Sequence, residues 1–290
     1  MAEVRPALPG HFDDVYPLLL GFRHATMSRD DWRRMLFDLP WPVDEPHRGH
    51  ILYDRGRAVG FLGTIFSHRT MGGRKLRFCN LSSWVVEDSY RSSSFELLLH
   101  ALGTKTHTIV NLSASASVHE IFTRLGFRTL EDSQVLLPPL ARPGEILRGP
   151  RCRILTRTDA VRAQLDHPGR EILDQMSGTL AAQVVIQHGG RSCHLVATRS
   201  PWKGRWRLAH VQYASDWGML FECPSAACLA FYRVFGTVGL RVDGRRAPRR
   251  LPRFAVRRAL PLPALYRPAE PDITPDLIDG LYTEVVGQRW

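Results

Sequence analysis

Lysine is nearly absent from this chain. It stands only at Lys75, Lys105 and Lys203, so almost all of the 39 basic side chains are arginine, set against 28 acidic ones for a net charge of +11. A basic excess suits nucleic acid, an anionic membrane surface or an acidic ligand, and guanidinium forks suit phosphate and carboxylate. Arginine in place of lysine is equally what a genomic bias produces. The densest patch, Arg241 to Arg258, lacks the regular interleaving of aromatics that single-strand binding uses, which argues against nucleic acid. Long apolar runs are also missing: no stretch of about 18 uncharged apolar residues exists, so no membrane span is expected. Met1-Ala2-Glu3-Val4-Arg5 leads into no apolar segment, so no secretory signal is expected either. Cysteine is sparse and odd in number, at Cys79, Cys152, Cys193, Cys223 and Cys228. There is no Cys-x-x-Cys pair, and the Cys223/Cys228 spacing has no histidine at a zinc-finger distance. The cysteines read as reduced, mostly buried thiols of a cytoplasmic protein, with no metal site expected.

What is present is enough for two domains: 290 residues, of which 44% are apolar. Val4-Arg5-Pro6-Ala7 reads as a strand, Asp13 to Leu20 as a helix with acidic residues at its positive end, and Arg29 to Leu39 as a second helix capped by Ser28. His50 to Asp54 and Ala58 to Phe66 flank Arg55-Gly56-Arg57, a hairpin with a glycine turn. Met71-Gly72-Gly73 turns the chain into a long strand ending Trp84-Val85-Val86. A bend rich in small residues, Glu87 to Ser94, precedes a helix at Phe95 to Leu102. Thr108 to Leu112 is a strand, a helix ends in Ile121 to Phe127, and Arg128 to Leu137 is the last strand of this half. Strand, bend, helix, strand is a crossover unit, and the bend places small residues at a helix N-terminus, where N–H groups and the macrodipole suit a phosphate. Pro138-Pro139, Pro143-Gly144 and Gly149-Pro150 read as a link. The expected domains are therefore 1–140 and 151–290, joined by 141–150.

The second half repeats the order in outline. Helices fall within Asp159 to Met176, a hairpin brackets Gly189-Gly190, and Arg207 to Ala214 is a strand. Ser225 to Phe235 is an apolar helix, Leu240 to Val242 a strand, Arg253 to Leu260 a further strand candidate, and Asp276 to Val286 a short helix. Between Trp202 and Trp206, the pair Lys203 and Arg205 marks either a ligand surface or a tight hairpin.

The central stretch resembles the GNAT family, the acyl-CoA-dependent N-acyltransferases. That family carries Val-x-x-x-x-(Arg or Gln)-x-x-Gly-x-(Gly or Ala) at the coenzyme A pyrophosphate, and Val86 to Glu96 occupies the same frame. Val86 and Arg91 match, while Ser92, Ser94 and Glu96 stand where small residues are usual. Asn111 followed by Ile121-Phe122-Thr123-Arg124-Leu125-Gly126-Phe127 is similar to the family's second signature. The resemblance spans Val4 to about Leu137. It implies an α+β fold with a mixed, mostly antiparallel central sheet flanked by helices, with the second half as a degenerate lobe of the same kind. It also implies acyl transfer from acetyl-CoA or another acyl-CoA to an amine on a small molecule or sugar.

On that reading Arg91 and the N–H groups of Ser92, Ser93 and Ser94 hold the pyrophosphate; in the plainer reading Ser94 merely caps the helix, and the two can coexist. Val85 and Val86 pair with the pantetheine arm, and Asn111 and Phe122 line it. Two departures stand out. The tyrosine that protonates the leaving thiolate in many members is Phe122, and the glutamate common on the central strand is Asn80. Candidate replacements are His119 or Ser117 as acid, and Glu87 or water held by Asn80 or Ser82 as base. Asp88, Tyr53, Asp54 and His24 lie, like Glu87, in the region that could face substrate. The alternative reading is a GNAT-like binding or regulatory protein without catalysis. The oligomeric state is left open.

Overall fold

The structure is a computed structural model that describes residues 2–22, 27–71, 74–139 and 152–288. The chain forms two compact units, and they are not the contiguous halves expected. The first comprises Met1–Leu130, Leu262–Ile278 and Tyr282–Arg289; the second comprises Glu131–Pro261, Asp279–Leu281 and Trp290. The expected link, 141–150, lies outside the described residues.

In the first unit β1 (Glu3–Pro6), β2 (Gly49–Asp54), β3 (Arg57–Met71) and β4 (Arg74–Val86) follow one another as antiparallel neighbours. The β2–β3 turn is the one expected: Arg55 and Gly56 both take positive φ, 50° and 76°, as a two-residue hairpin turn requires. Helix α1 (Phe12–Leu19) and α2 (Arg29–Leu36) come between β1 and β2. Ser28 caps α2 by accepting from the Asp31 N–H, while the Asp31 carboxylate accepts in return from the Ser28 N–H. The helix ends at Leu36, sooner than the expected Leu39. After β4, a short 3-10 turn (Asp88–Ser93) leads into α3 (Ser94–Leu102), and β5 (Thr108–Asn111) then pairs parallel with β4. Helix α4 (Ala116–Arg124) follows. Leu97, Leu98, Ala101 and Phe122 pack on Leu62, Phe66, Cys79 and Ile109 to form the main core of this unit.

The expected last strand, β6 (Arg128–Leu137), does not complete this sheet. Its Gln134–Leu137 pair antiparallel with β11 (Leu240–Asp243) in the second unit. The strand beside β5 is instead β12 (Val256–Arg267), through Leu265↔Asn111, Tyr266↔Val110 and Arg267↔Ile109. Alternation makes both segments strands, but period 2 carries no information about which neighbour a strand takes.

In the second unit the sheet order is β6–β11–β10–β9–β8–β7, with β7 (Arg153–Leu155), β8 (Ala182–His188), β9 (Arg191–Trp202) and β10 (Trp206–Ala214). Helices α5 (Thr158–Arg162) and α6 (His167–Met176) precede β8; α7 (Trp217–Glu222) and α8 (Pro224–Phe235) connect β10 to its parallel neighbour β11. This hairpin, strand, helix and parallel strand repeat the order β2, β3, β4, α3, β5. Lys203 and Gly204 turn the β9–β10 hairpin with positive φ, so Trp202 and Trp206 face each other as a cross-strand pair.

The C-terminal residues also depart from expectation. Asp276 to Val286 is not one helix. A 3-10 turn (Pro275–Leu277) is followed by Tyr282 at φ 60° and by α9 (Glu284–Gly287). Tyr282 stacks edge-on against Trp41, and Gly287 packs closely against Met35.

Candidate active site

The β4–β5 ladder runs through Phe78↔Thr108, Cys79↔Ile109 and Asn80↔Val110 and ends there, although β4 continues to Val86. Two local features accompany the parting. The β3–β4 register slips between the pairs Phe61↔Val85 and Gly63↔Ser82, a bulge in which Ser83 takes φ 57°. Beyond the last pair the Asn111 side chain reaches across and donates through Nδ2 to the Leu81 carbonyl at 3.2 Å. The buried Asn111 Oδ1 has no hydrogen-bond partner. Past Asn80, this edge of β4 runs on through Val85 and Val86 without a ladder partner in β5.

Into this parting comes a side chain that the sequence reading did not single out. Glu284, only 4% exposed, accepts a hydrogen bond from Ser113 Oγ at 2.5 Å and a further one from Ser82. Its N–H donates to Asn80 Oδ1 at 2.8 Å. Burial raises the Glu284 pKa above its ordinary value, and the Ser113 and Ser82 hydroxyls oppose that rise by binding the carboxylate. Asn80 is fully committed: its Nδ2 donates to the carbonyls of Leu81 and Val110. An amide at 80 therefore carries no base. It seats a segment that brings a carboxylate from 204 positions further along the chain. Nothing local to Glu284 signals this; the only prompt in the sequence was the missing acid at 80.

The other candidates fall as follows. Glu87 forms an ion pair with Arg57, which holds its carboxyl below the usual range and makes it a poor base at neutral pH. Asp54 accepts from Tyr90 Oη at 2.8 Å, and Tyr53 donates to Asp14 at 2.6 Å. The Tyr90 hydrogen bond pushes the Asp54 pKa down; the Tyr53 pKa is pushed up by burial and by Asp14. His24 lies outside the described residues. Phe122 is buried in a stack, 6.3 Å from Trp84 and 4.7 Å from Phe127 between ring centres. On the same helix Ser117 is exposed and 3.2 Å from Ser115 Oγ, while half-buried His119 has an Nε2 with no hydrogen-bond partner.

The bend after Val86 is exposed. Arg91 pairs with Asp88 at 2.8 Å on the surface. The N-cap residue of α3, Ser93, makes no side-chain capping bond, whereas the Ser94 N–H donates to the Arg91 carbonyl inside the 3-10 turn. Ser94, read as the plain cap, is instead the first residue of α3, with Ser93 in the N-cap place, and one of the three expected N–H donors is used within the bend. At the corresponding place in the second unit Asp216 accepts from the Met219 N–H at 2.8 Å, so its own carboxylate fills the start of α7.

Several arginines of the 241–258 patch are used within their own unit. Arg241 is half-buried with its Nε shielded from solvent, Arg245 pairs with Asp243, Arg246 lies over Trp217, and Arg257 donates to the Gly244 carbonyl. No described helix is long and apolar enough to cross a membrane.

These elements define a protein with the GNAT fold: a mixed, mostly antiparallel sheet with a parallel crossover, and a 3-10 bend leading from β4 into the crossover helix. A GCN5-related N-acetyltransferase from Kribbella flavida matches over 92% of this chain and 71% of its own, with a TM-score of 0.59 at 13% identity. One from Anabaena variabilis matches over 93% and 73%, with a TM-score of 0.54 at 10% identity. A conserved protein from Enterococcus faecalis, described as a probable N-acyltransferase, matches over 93% and 73%, with a TM-score of 0.56 at 10% identity. No sequence-family profile matches the chain, and no curated protein sequence does. At these identities the likeness establishes the fold.

Proposed function

We propose that this chain is an acyl-CoA-dependent N-acyltransferase, with acetyl-CoA as the default donor and an amine on a small molecule or sugar as acceptor. The observation that carries the reading is the carboxylate of Glu284, held by Ser82 and Ser113 where β4 and β5 part. The coenzyme is a substrate. Arg91, Ser92, Ser93 and the N-terminus of α3 would bind its diphosphate, the unpaired edge of Val85 and Val86 its pantetheine amides, and Asn111 Oδ1 a pantetheine N–H.

Glu284 then takes one proton from the incoming ammonium, and a raised pKa places it nearer neutrality, where a base works best. The amine attacks the thioester carbon, the C–S bond breaks, and the second amine proton passes to the departing thiolate. Phe122 supplies no proton, so this chain relies on the low basicity of the leaving thiolate. Ser82 and Ser113 keep Glu284 aimed during the transfer.

The test is acetyl-CoA-dependent thiol release against a panel of amines, run beside thermal unfolding with and without acetyl-CoA. Wild type should show both a raised Tm and thiol release. Glu284→Gln should keep the raised Tm and lose activity by about 10²–10⁴-fold, the usual worth of a general base. Because the carboxylate form is the active one, wild-type rates should rise with pH through the raised pKa, and the variant should lose that limb. A variant that retains full rate and pH profile refutes the assignment. The second reading, a binding or regulatory protein, is favoured by buried Phe122 and by serines in place of glycines in the bend. It predicts a raised Tm with no thiol release from wild type.

A further inference from the structure

We propose that Cys152, His188 and Cys223 form a binding site for a thiophilic divalent cation, zinc in the first instance. The donor atoms of these three side chains lie within 4.8 Å of one another. They come from places far apart in sequence, and the second unit brings them together by ordinary strand geometry. The β7–β8 ladder pairs Arg153 with Gln187 and Ile154 with Ile186. One step outward on the same register sets Cys152 opposite His188. Cys152, Ile154 and Ile186 share a face, since all three pack into the core beneath α7 and α8. Cys223, 4% exposed, sits at the junction of those helices, where its N–H donates to the Met219 carbonyl. The metal-finger spacing sought in the sequence is absent because the third donor is supplied by the end of a strand and not by a neighbouring turn.

Three features favour a metal over a chance cluster. His188 Nδ1 is buried with no hydrogen-bond partner, which is costly for a ring nitrogen unless something binds there. The competing cation next to the site is already neutralised: Arg191, paired with His188 across the turn, forms ion pairs with Glu222 and, at 3.5 Å, with Asp216. Two thiolates and an imidazole also match a borderline-soft ion and balance its charge, so that the occupied group is neutral in a half-buried place. Hard cations such as magnesium and calcium want oxygen donors, and this cluster has none. Three protein ligands leave one coordination position for water or another small donor. β7 is the outermost strand of its sheet and spans only Arg153–Leu155, so a metal here would tie a short edge to the helices behind it.

Titration of the reduced full-length chain with cobalt(II) under argon tests the site. One equivalent should produce thiolate-to-cobalt charge-transfer absorption in the near ultraviolet, and added zinc should bleach it. Zinc should also raise the Tm. Cys152→Ser and His188→Ala, both at half-buried positions and each checked for a cooperative thermal transition, should each weaken binding by about tenfold or more, as loss of even an outer-shell partner costs about 10–100-fold. Cys228→Ala, a buried thiol outside the cluster, should leave the absorption unchanged. Absence of a thiolate band in the wild type overturns the proposal, as does a band that survives in Cys152→Ser. A Cys152–Cys223 disulfide in the air-oxidised chain, coupled with no metal uptake by the reduced chain, overturns it too.

Discussion

Glu284 and Glu131 are two carboxyls raised by burial, with different consequences. Glu284 has hydroxyls to hold its charged form. Glu131, in the second unit, has a buried Oε1 without a hydrogen-bond partner, and burial together with Asp243 lifts its pKa to about 7 against the pull of Arg241 and Arg245. A carboxyl with a folded pKa above its unfolded value binds its proton more tightly in the folded state. The folded state is then favoured below the unfolded value, near 4.5, and that advantage is lost as pH rises towards 7. Glu131→Gln removes the charge and keeps the shape. We expect the variant to be more stable than wild type at pH 8, by about 1–3 kcal/mol, and the gap to close by pH 4. Urea midpoints at the two pH values check this; a gap that is constant with pH contradicts the assignment. Residues of this kind are hard to find in a sequence. Glu131 and Glu284 look like any other glutamate until the fold removes their water, whereas the substitution of Phe122 for a proton donor is plain from the motif alone.

At the scale of the element, the β4 bulge does what a straight strand could not. Ser83 accepts a left-handed backbone, the ladder to β3 slips by one, and the edge of β4 that would have paired with β5 is released. The close approach on the other side explains a glycine: a Cβ on Gly63 would lie 3.0 Å from the Ser82 carbonyl. The left-handed conformation costs an L-residue roughly 1–2 kcal/mol, and more when the side chain is β-branched. Ser83→Gly should therefore be neutral or slightly stabilising, and Ser83→Val should destabilise by about 1–2 kcal/mol and weaken the acetyl-CoA-induced rise in Tm. Equal stability of the two variants would show that the bulge is not strained. The hairpin at Arg55-Gly56, the bend after Val86 and the helix that follows were legible because their signals are local: a glycine turn, a run of small residues, an apolar face. The bulge was not, because nothing in Leu81 to Val86 distinguishes a slipped strand from a regular one.

For the molecule as a whole, the decisive feature is which part of the chain completes each unit. The first unit takes its last strand and its Glu284 from beyond residue 256; the second takes β6 from before the proline-rich link. The expected link at 141–150 lies outside the described residues, and the two units change over instead at Leu130/Glu131 and Pro261/Leu262. Ala264, Leu265, Tyr266, Ile273, Ile278, Tyr282 and Val286 are each at most 5% exposed, and in the first unit they cover Leu76, Phe78, Val110 and Leu130, among others. Burial of each large side chain is worth about 1.5–3 kcal/mol, so their loss together exceeds the roughly 5–15 kcal/mol that hold a domain folded. A fragment 1–140, which the sequence suggests as a free-standing coenzyme-binding domain, should thus fail to fold and should not respond to acetyl-CoA. Mixing it with a 256–290 peptide should restore part of the cooperative thermal transition, since that peptide carries both the missing strand and the carboxylate seat at Asn80. A cooperative transition in the fragment alone would show that the C-terminal residues are an ornament on a complete domain, and Glu284 would then be no integral part of the first unit.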